Sequence, residues 1–424
     1  MSSVSISGFL VLALPVLCLG QNQPLTVDDC IRLAQSAPSA ITSARRDVDI
    51  AKLGLNQAQR AYLPTGALLT GYNYNTPSAS NPSTFAYVSL NAIHEYIGHG
   101  QITIPFDISG RLKAGVDRAR ADQDVASAGL AIASRDLRRI VTVAYYQVLL
   151  SRRLTTVASE VLQEAQSFEQ RVQLLQQGGE AARADVVQAS AQVAFYQQAL
   201  LNAQLQAELA NQDLASFWTT DVNTRLELVD PFDAPPPLAE IGGAGPTPYL
   251  NRPEFSLFDA QRRGFAADAR ATRAQLKPQT NVVLQYGVDM NRLNFRERGS
   301  AVFLGVTVPV FDWFRTRDAA QQFSFRAEQA QNQARVAERT YSRDYQNALS
   351  RLNSQYRQVA IAQQQIDVAS ENLRLSRIKY QGGEGVALEV LTAQTQVGQA
   401  RGNHLTALAN YYVAMADLEV ASGR

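Results

Sequence analysis

Tyr380-Gln381-Gly382-Gly383-Glu384 followed by Glu389-Val390-Leu391 marks a long helix that stops, turns on a glycine pair and starts again. The same pattern stands earlier in the chain as Gln177-Gly178-Gly179-Glu180 followed by Asp185-Val186, with Gly178 and Gly382 lying 204 positions apart. At that offset Pro105 meets Pro309, Arg111 meets Arg315, Gln192 meets Gln396, Val193 meets Val397, Asp213 meets Asp417 and Leu214 meets Leu418, without a gap. A repeat of this length is one structural half used twice, since solenoid units run to about 20–50 residues. A duplicated half suits a ring or tube with pseudo-symmetry.

The residues leading to each turn read as helix. Stretches 111–175 and 315–380 contain no proline, and each helix reaches on the order of 100 Å at about 1.5 Å per residue. Apolar residues recur at three-four spacing in Leu154, Val157, Val161, Ala165, Phe168, Val172 and Leu175. The second half has Leu349, Leu352, Tyr356, Val359, Ile366, Leu373 and Tyr380. That is coiled-coil seam spacing. The glycines supply the positive φ of a helix end, and Glu180 or Glu384 suits the start of the returning helix. The spacing predicts helical hairpins over 111–218 and 315–421.

Before each hairpin the period changes to two. Val282, Leu284, Tyr286, Val288 and Met290 alternate with Asn281, Gln285, Gly287 and Asp289, and Val302, Leu304, Val306, Val308 and Val310 form a second apolar row. The first half repeats this more loosely with Leu68, Tyr72 and Tyr74, then Ile102, Ile104 and Phe106. Alternation over about 10 residues is a strand with one apolar face. Strand pairs are expected over 65–108 and 280–310, their apolar face turned to lipid because nothing else in the sequence offers a core for it. Leu284, Val306 and Val308 belong to that face. Each half opens with a helix carrying proline in its first turn, at Pro38 and Pro253. Residues 222–250, with Pro235-Pro236-Pro237 and Gly242-Gly243-Ala244-Gly245-Pro246, cannot continue a helix and form a linker. The expected division is a first repeat at 21–221, this linker, and a second repeat at 251–424.

The formal charge of +1 implies no polyanionic partner and argues against nucleic-acid binding. Residues 1–20, with the apolar run from Phe9 to Leu19, fit a secretory signal peptide and are too short to span a bilayer. After its removal Cys30 is the remaining cysteine, so no internal disulfide forms.

The order helix, strand pair, long hairpin, linker and repeat resembles the TolC family of outer-membrane efflux and secretion ducts. Asn251-Arg252-Pro253-Glu254 looks like that family's opening of its second half, and Tyr380 to Gly383 with Glu389-Val390-Leu391 looks like its tip signature. The first tip keeps Gly179 and Asp185-Val186 but has Gln176 in place of the aromatic residue. The resemblance implies a mainly α protein with a transmembrane β-barrel contribution. It implies a homotrimer whose strands share one barrel in outer-membrane lipid above an α-helical periplasmic cylinder. It also implies an exit duct that performs no reaction, needs no cofactor, and serves an inner-membrane pump of RND or ABC type through a periplasmic adaptor. Residues 75–98 and 291–300 are then the exterior loops. The alternative is a soluble periplasmic coiled-coil structural or adaptor protein.

Two groups of residues are candidates for function. Asp185 and Glu389 lie in the first turns of the returning helices. There a carboxylate complements the helix dipole, worth about 0.3–1 kcal/mol, or, multiplied by symmetry, forms an acidic gate ring that favours cations. Glu389 matches the family's gate position better, and Thr392 stands where a further acid is expected. At the tips, Gly178, Gly179, Glu180, Gly382, Gly383 and Glu384, with Tyr380, are the expected adaptor-docking residues. His94-Glu95-Tyr96-Ile97-Gly98-His99 invites a zinc-protease reading. Its histidines are five apart and interrupted by Gly, whereas the motif needs two at i and i+4 on one helix face. It is read as part of the first loop, and no catalytic or metal site is assigned.

Overall fold

The computed structural model describes residues 24–76, 93–233, 247–290 and 298–423, with Ala79 and Arg296. The expected signal segment and most of both strand-connecting loops lie outside the described residues, as do Pro235, Pro236 and Pro237 and Gly242, Gly243 and Gly245 of the linker. The elements run α1 (Val27–Ser36), α2 (Ala40–Arg60), β1 (Thr65–Tyr74), β2 (His94–Phe106), α3 (Arg111–Gln177), α4 (Arg183–Ala215), α5 (Pro253–Ala274), β3 (Gln279–Met290), β4 (Gly299–Thr307), α6 (Arg315–Gln381) and α7 (Ala387–Ala421). The duplication is metrically strict. Helices α3 and α6 both have 67 residues, about 100 Å each, and both begin, end and restart at the same 204-residue offset.

The four strands form one antiparallel sheet in the order β1-β2-β3-β4. In every pairing an even-numbered residue faces an even-numbered one: Tyr72 opposite Tyr96, Ile102 opposite Leu284, Val282 opposite Leu304. Parity therefore names the face across the whole sheet. The even face carries Leu68, Ile102, Leu284, Val302, Leu304 and Val306, all exposed. The odd face carries polar pairs: Asn73 donates to Glu95 at 3.0 Å and Gln285 to Gln101 at 3.0 Å. Among the described residues, edge strands β1 and β4 have no further strand partner.

Three expectations need correction. Pro38 does not sit in a first helical turn; it lies in the break between α1 and α2, with Ser39 as N-cap of α2. The short helix α1 before it, closed by a Thr26–Asp29 capping box, was not expected. Pro253 does occupy the start of α5. His94 to His99 is not loop but the first half of β2, so the two histidines point to opposite faces. His94 instead pairs with the Tyr72 hydroxyl at 2.8 Å. Strand β4 ends at Thr307, short of the proline at 309 that lacks a ladder donor.

A thick core lies at mid-height along the helices. Tyr145, Tyr146 and Leu149 of α3, Leu214 of α4, Leu352 of α6 and Tyr411, Tyr412 and Leu418 of α7 pack with Cys30 and Ile31 of α1 and Phe232 after α4. Tyr146 and Tyr412 stack with centroids 4.6 Å apart. The Tyr145 hydroxyl donates to the Val229 carbonyl at 2.5 Å and lies 3.1 Å from the Leu25 carbonyl, which fastens both peripheral segments to the waist. A second clamp explains Asn251-Arg252-Pro253-Glu254. The Arg135 guanidinium binds both Glu254 oxygens at 2.8 and 2.9 Å, Arg252 binds the same carboxylate, and Arg252 lies 3.8 Å from the Tyr341 ring centroid. The linker residues described therefore start and end on a packed waist.

Candidate gate and docking site at the hairpin tips

Both tips close in the same way. Gly179 has φ +84° and Gly383 φ +75°, the left-handed conformation that glycine adopts without a Cβ clash. The Glu180 N–H then reaches back to the Leu175 carbonyl at 2.8 Å and the Gly179 N–H to Gln176 at 3.1 Å. At the second tip Glu384 donates to Lys379 at 3.0 Å and Gly383 to Tyr380 at 3.2 Å. Each pair is a Schellman closure that satisfies carbonyls left over at the helix end. It leaves Gly178, Gly179, Glu180, Gly382, Gly383 and Glu384 exposed at the turns.

A common core holds the two tips side by side. Phe168 and Val172 of α3, Ala189 of α4, Leu373 of α6 and Val390, Leu391 and Val397 of α7 are buried together. Tyr380 packs on this cluster, its ring 5.4 Å from that of Phe168. Burial and the negative charge of Asp185 push its hydroxyl pKa upward. Tyr380 is thus partly engaged between the hairpins, while the glycines and glutamates remain free at the ends.

The two candidate gate acids are not equivalent. The Asp185 carboxylate accepts from the Ala182 N–H at 3.3 Å and so caps its own helix. Glu389 is exposed, and no hydrogen bond or ion pair within the protomer engages its carboxylate among the described residues. Arg377, a sequence neighbour suited to pair with Glu389, instead binds Glu164 of α3 at 3.2 Å. Arg401 of α7 binds Glu160 of α3 at 3.0 Å. These two bridges, which the sequence did not reveal because their partners lie more than 200 positions apart, cross between the hairpins. They line a cleft of about 600 Å³ just above the tips.

An open four-stranded sheet with a lipid-suited face, set on two 67-residue helices that return at matched tips, defines a subunit of an outer-membrane channel. The chain belongs to the outer membrane efflux protein family, whose model matches residues 31–220 and 249–424. It is 28% identical over 254 residues to the pyoverdine export outer membrane protein OpmQ of Pseudomonas aeruginosa, a match covering 59% of this chain and 53% of OpmQ. It is 23% identical to the cobalt-zinc-cadmium resistance protein CzcC of Cupriavidus metallidurans, over 95% of this chain and 90% of CzcC. Its fold matches the outer membrane protein VceC of Vibrio cholerae with a TM-score of 0.81 at 16% identity, over 94% of this chain and 96% of VceC. The protein is therefore an outer-membrane efflux duct with a periplasmic helical tunnel, and the soluble coiled-coil alternative falls.

Proposed function

We propose that three copies close into one barrel and one helical cylinder, and that the tips form both the gate and the adaptor-docking end of the duct. Two sheet edges and two helix seams that find no partner among the described residues support the trimer. On α6 Ile361, Val368 and Leu375 are exposed at seven-residue spacing, and on α4 Leu201, Leu205 and Leu209 are exposed at four-residue spacing, with Phe195 a further exposed apolar residue. Such rows suit knobs-into-holes packing against a neighbouring copy. Docking at Gly178, Gly179, Glu180, Tyr380, Gly382, Gly383 and Glu384 by a periplasmic adaptor, linked to an RND- or ABC-type pump, follows from their place at the end of the tube. Since OpmQ and CzcC carry names with unrelated cargo, cargo choice is assigned to the pump.

The observation that carries the gate is the contrast between a capped Asp185 and an unengaged Glu389. Three converging Glu389 carboxylates make an acidic ring that favours cations, and Asp185 contributes less because it serves its own helix. The Glu389→Gln change keeps the shape and removes the charge. In planar bilayers it lowers cation selectivity and weakens block by multivalent cations from the tip side, while Asp185→Asn does less. Unchanged selectivity and block in the Glu389→Gln channel overturn the ring.

A further inference from the structure

We propose that the periplasmic rim of the barrel is a collar that binds the headgroups of anionic glycerophospholipids. The start of β1, the end of β2, the start of β3 and the end of β4 lie at one end of the sheet, where the long helices leave it. Arg60, Arg111, Lys113, Lys277, Arg315 and Arg317 all fall within ten residues of those four strand ends, and all are exposed. The ion pairs nearest to them, Arg118 with Asp122 and Asp268 and Arg270 with Asp117, leave all six out. The carboxylates closest in sequence are mostly occupied with backbone. Asp107 accepts from Leu112 and Lys113 N–H at 3.0 and 2.8 Å, and Asp312 from Thr316 N–H at 2.9 Å. Asp318 is the remaining exposed acid on this stretch. The chain as a whole is nearly neutral at +1, so this excess of cations is local.

The same rim carries an aromatic turn. Phe311, Trp313 and Phe314 are exposed, Trp313 at 81%, with the Phe311 and Trp313 rings 4.5 Å apart. Trp313 and Phe314 take φ of 56° and 64°, a left-handed backbone that the first half gives to Gly110 at the position equivalent to Phe314. A bulky residue adopts that conformation at a cost glycine does not bear. Two consecutive aromatic side chains are held there nonetheless, facing solvent in the protomer. They continue the apolar even face of β4 through Val306, Val308 and Val310, all exposed. Aromatic rings at the edge of a lipid-facing band sit at headgroup level, and basic side chains beside them attract anionic lipid within a Debye length. Continuity with the lipid face, and a positive charge matching a phosphodiester, commit the surface to lipid rather than to a neighbouring copy.

The chain has two tryptophans, Trp218 and Trp313, so Trp218→Phe leaves Trp313 as the reporter. The full-length channel with this change is reconstituted into phosphatidylcholine vesicles holding an equal mole fraction of brominated phosphatidylglycerol or brominated phosphatidylcholine. The proposal expects quenching by both lipids, stronger with brominated phosphatidylglycerol by a ratio above about two. The preference falls toward one in high salt, and also when Lys277→Gln, Arg315→Gln and Arg317→Gln are added. Equal quenching by the two lipids overturns the anionic selection while leaving the barrel in the membrane. Quenching by aqueous iodide with none by either lipid places Trp313 away from the bilayer and overturns the collar altogether. Both contradicting results are read on the Trp218→Phe channel, so they do not depend on the folding of the neutralised variant.

Discussion

Glu254 shows how a short motif acquires its meaning only in the folded chain. Asn251-Arg252-Pro253-Glu254 was legible as a helix start, because Pro253 suits the first turn. Its partner Arg135 is 119 positions away and could not be read from the sequence. In the fold, hydrogen bonds from Arg135 and Arg252 outweigh burial and hold the Glu254 carboxyl down at about 2, against 4.5 ordinarily. A depressed carboxyl contributes stability above its unfolded value and loses it as pH falls through the folded one. The clamp is therefore at full strength above about pH 5 and weakens between about pH 4.5 and 2. Glu254→Gln, which leaves buried Arg135 with Asp136 as its one remaining carboxylate partner, is expected to cost about 2 kcal/mol at pH 7. In thermal melts of the detergent-solubilised protein the gap to wild type should narrow steadily below pH 4.5. A gap independent of pH would remove the ion pair from the account. The tip residues were more readable, because Gly179 and Gly383 are demanded by local geometry alone. Glu164 and Glu160, which bind Arg377 and Arg401, were not, since no local rule links α3 to α6 and α7.

At the scale of elements, periodicity carried most of the fold. Proline-free runs with seam spacing located α3 and α6, and the glycine pairs located their ends. Alternation located the strands but not their limits: β2 starts at His94 because polar His94 and Glu95 find cross-strand partners in Tyr72 and Asn73. Helix α1 was missed because its ten residues offer too short a pattern, and its packing surface is the distant waist. Parity makes the strand reading testable. Arg at Leu284, on the even face, should reduce assembled channel by about 2–4 kcal/mol of destabilisation near the bilayer midplane. Arg at Gln285, one residue on, turns to the other face and should be tolerated. Assembly yields from membrane fractions decide the matter. Equal losses at both positions would mean that both faces are buried and that the sheet does not border lipid.

The whole molecule is understood best by what one protomer leaves open. Among the described residues, the edges of β1 and β4, the exposed rows on α4 and α6 and the lipid-suited face of the sheet each lack a counterpart. The waist, by contrast, is closed by Tyr145, Tyr146 and Tyr412 and by the segments around Leu25 and Val229. Duplication puts the two hairpins in register, so their tips end together on the Phe168–Val390 cluster. A single copy would leave strand edges unpaired in a bilayer, which lipid cannot satisfy. The number of copies is thus the claim on which barrel, tunnel and gate ring all depend. Native mass spectrometry of the full-length protein, extracted from outer-membrane fractions in mild detergent, measures it directly. The account predicts one dominant species of three protomers; a monomer or dimer as the dominant species would contradict it.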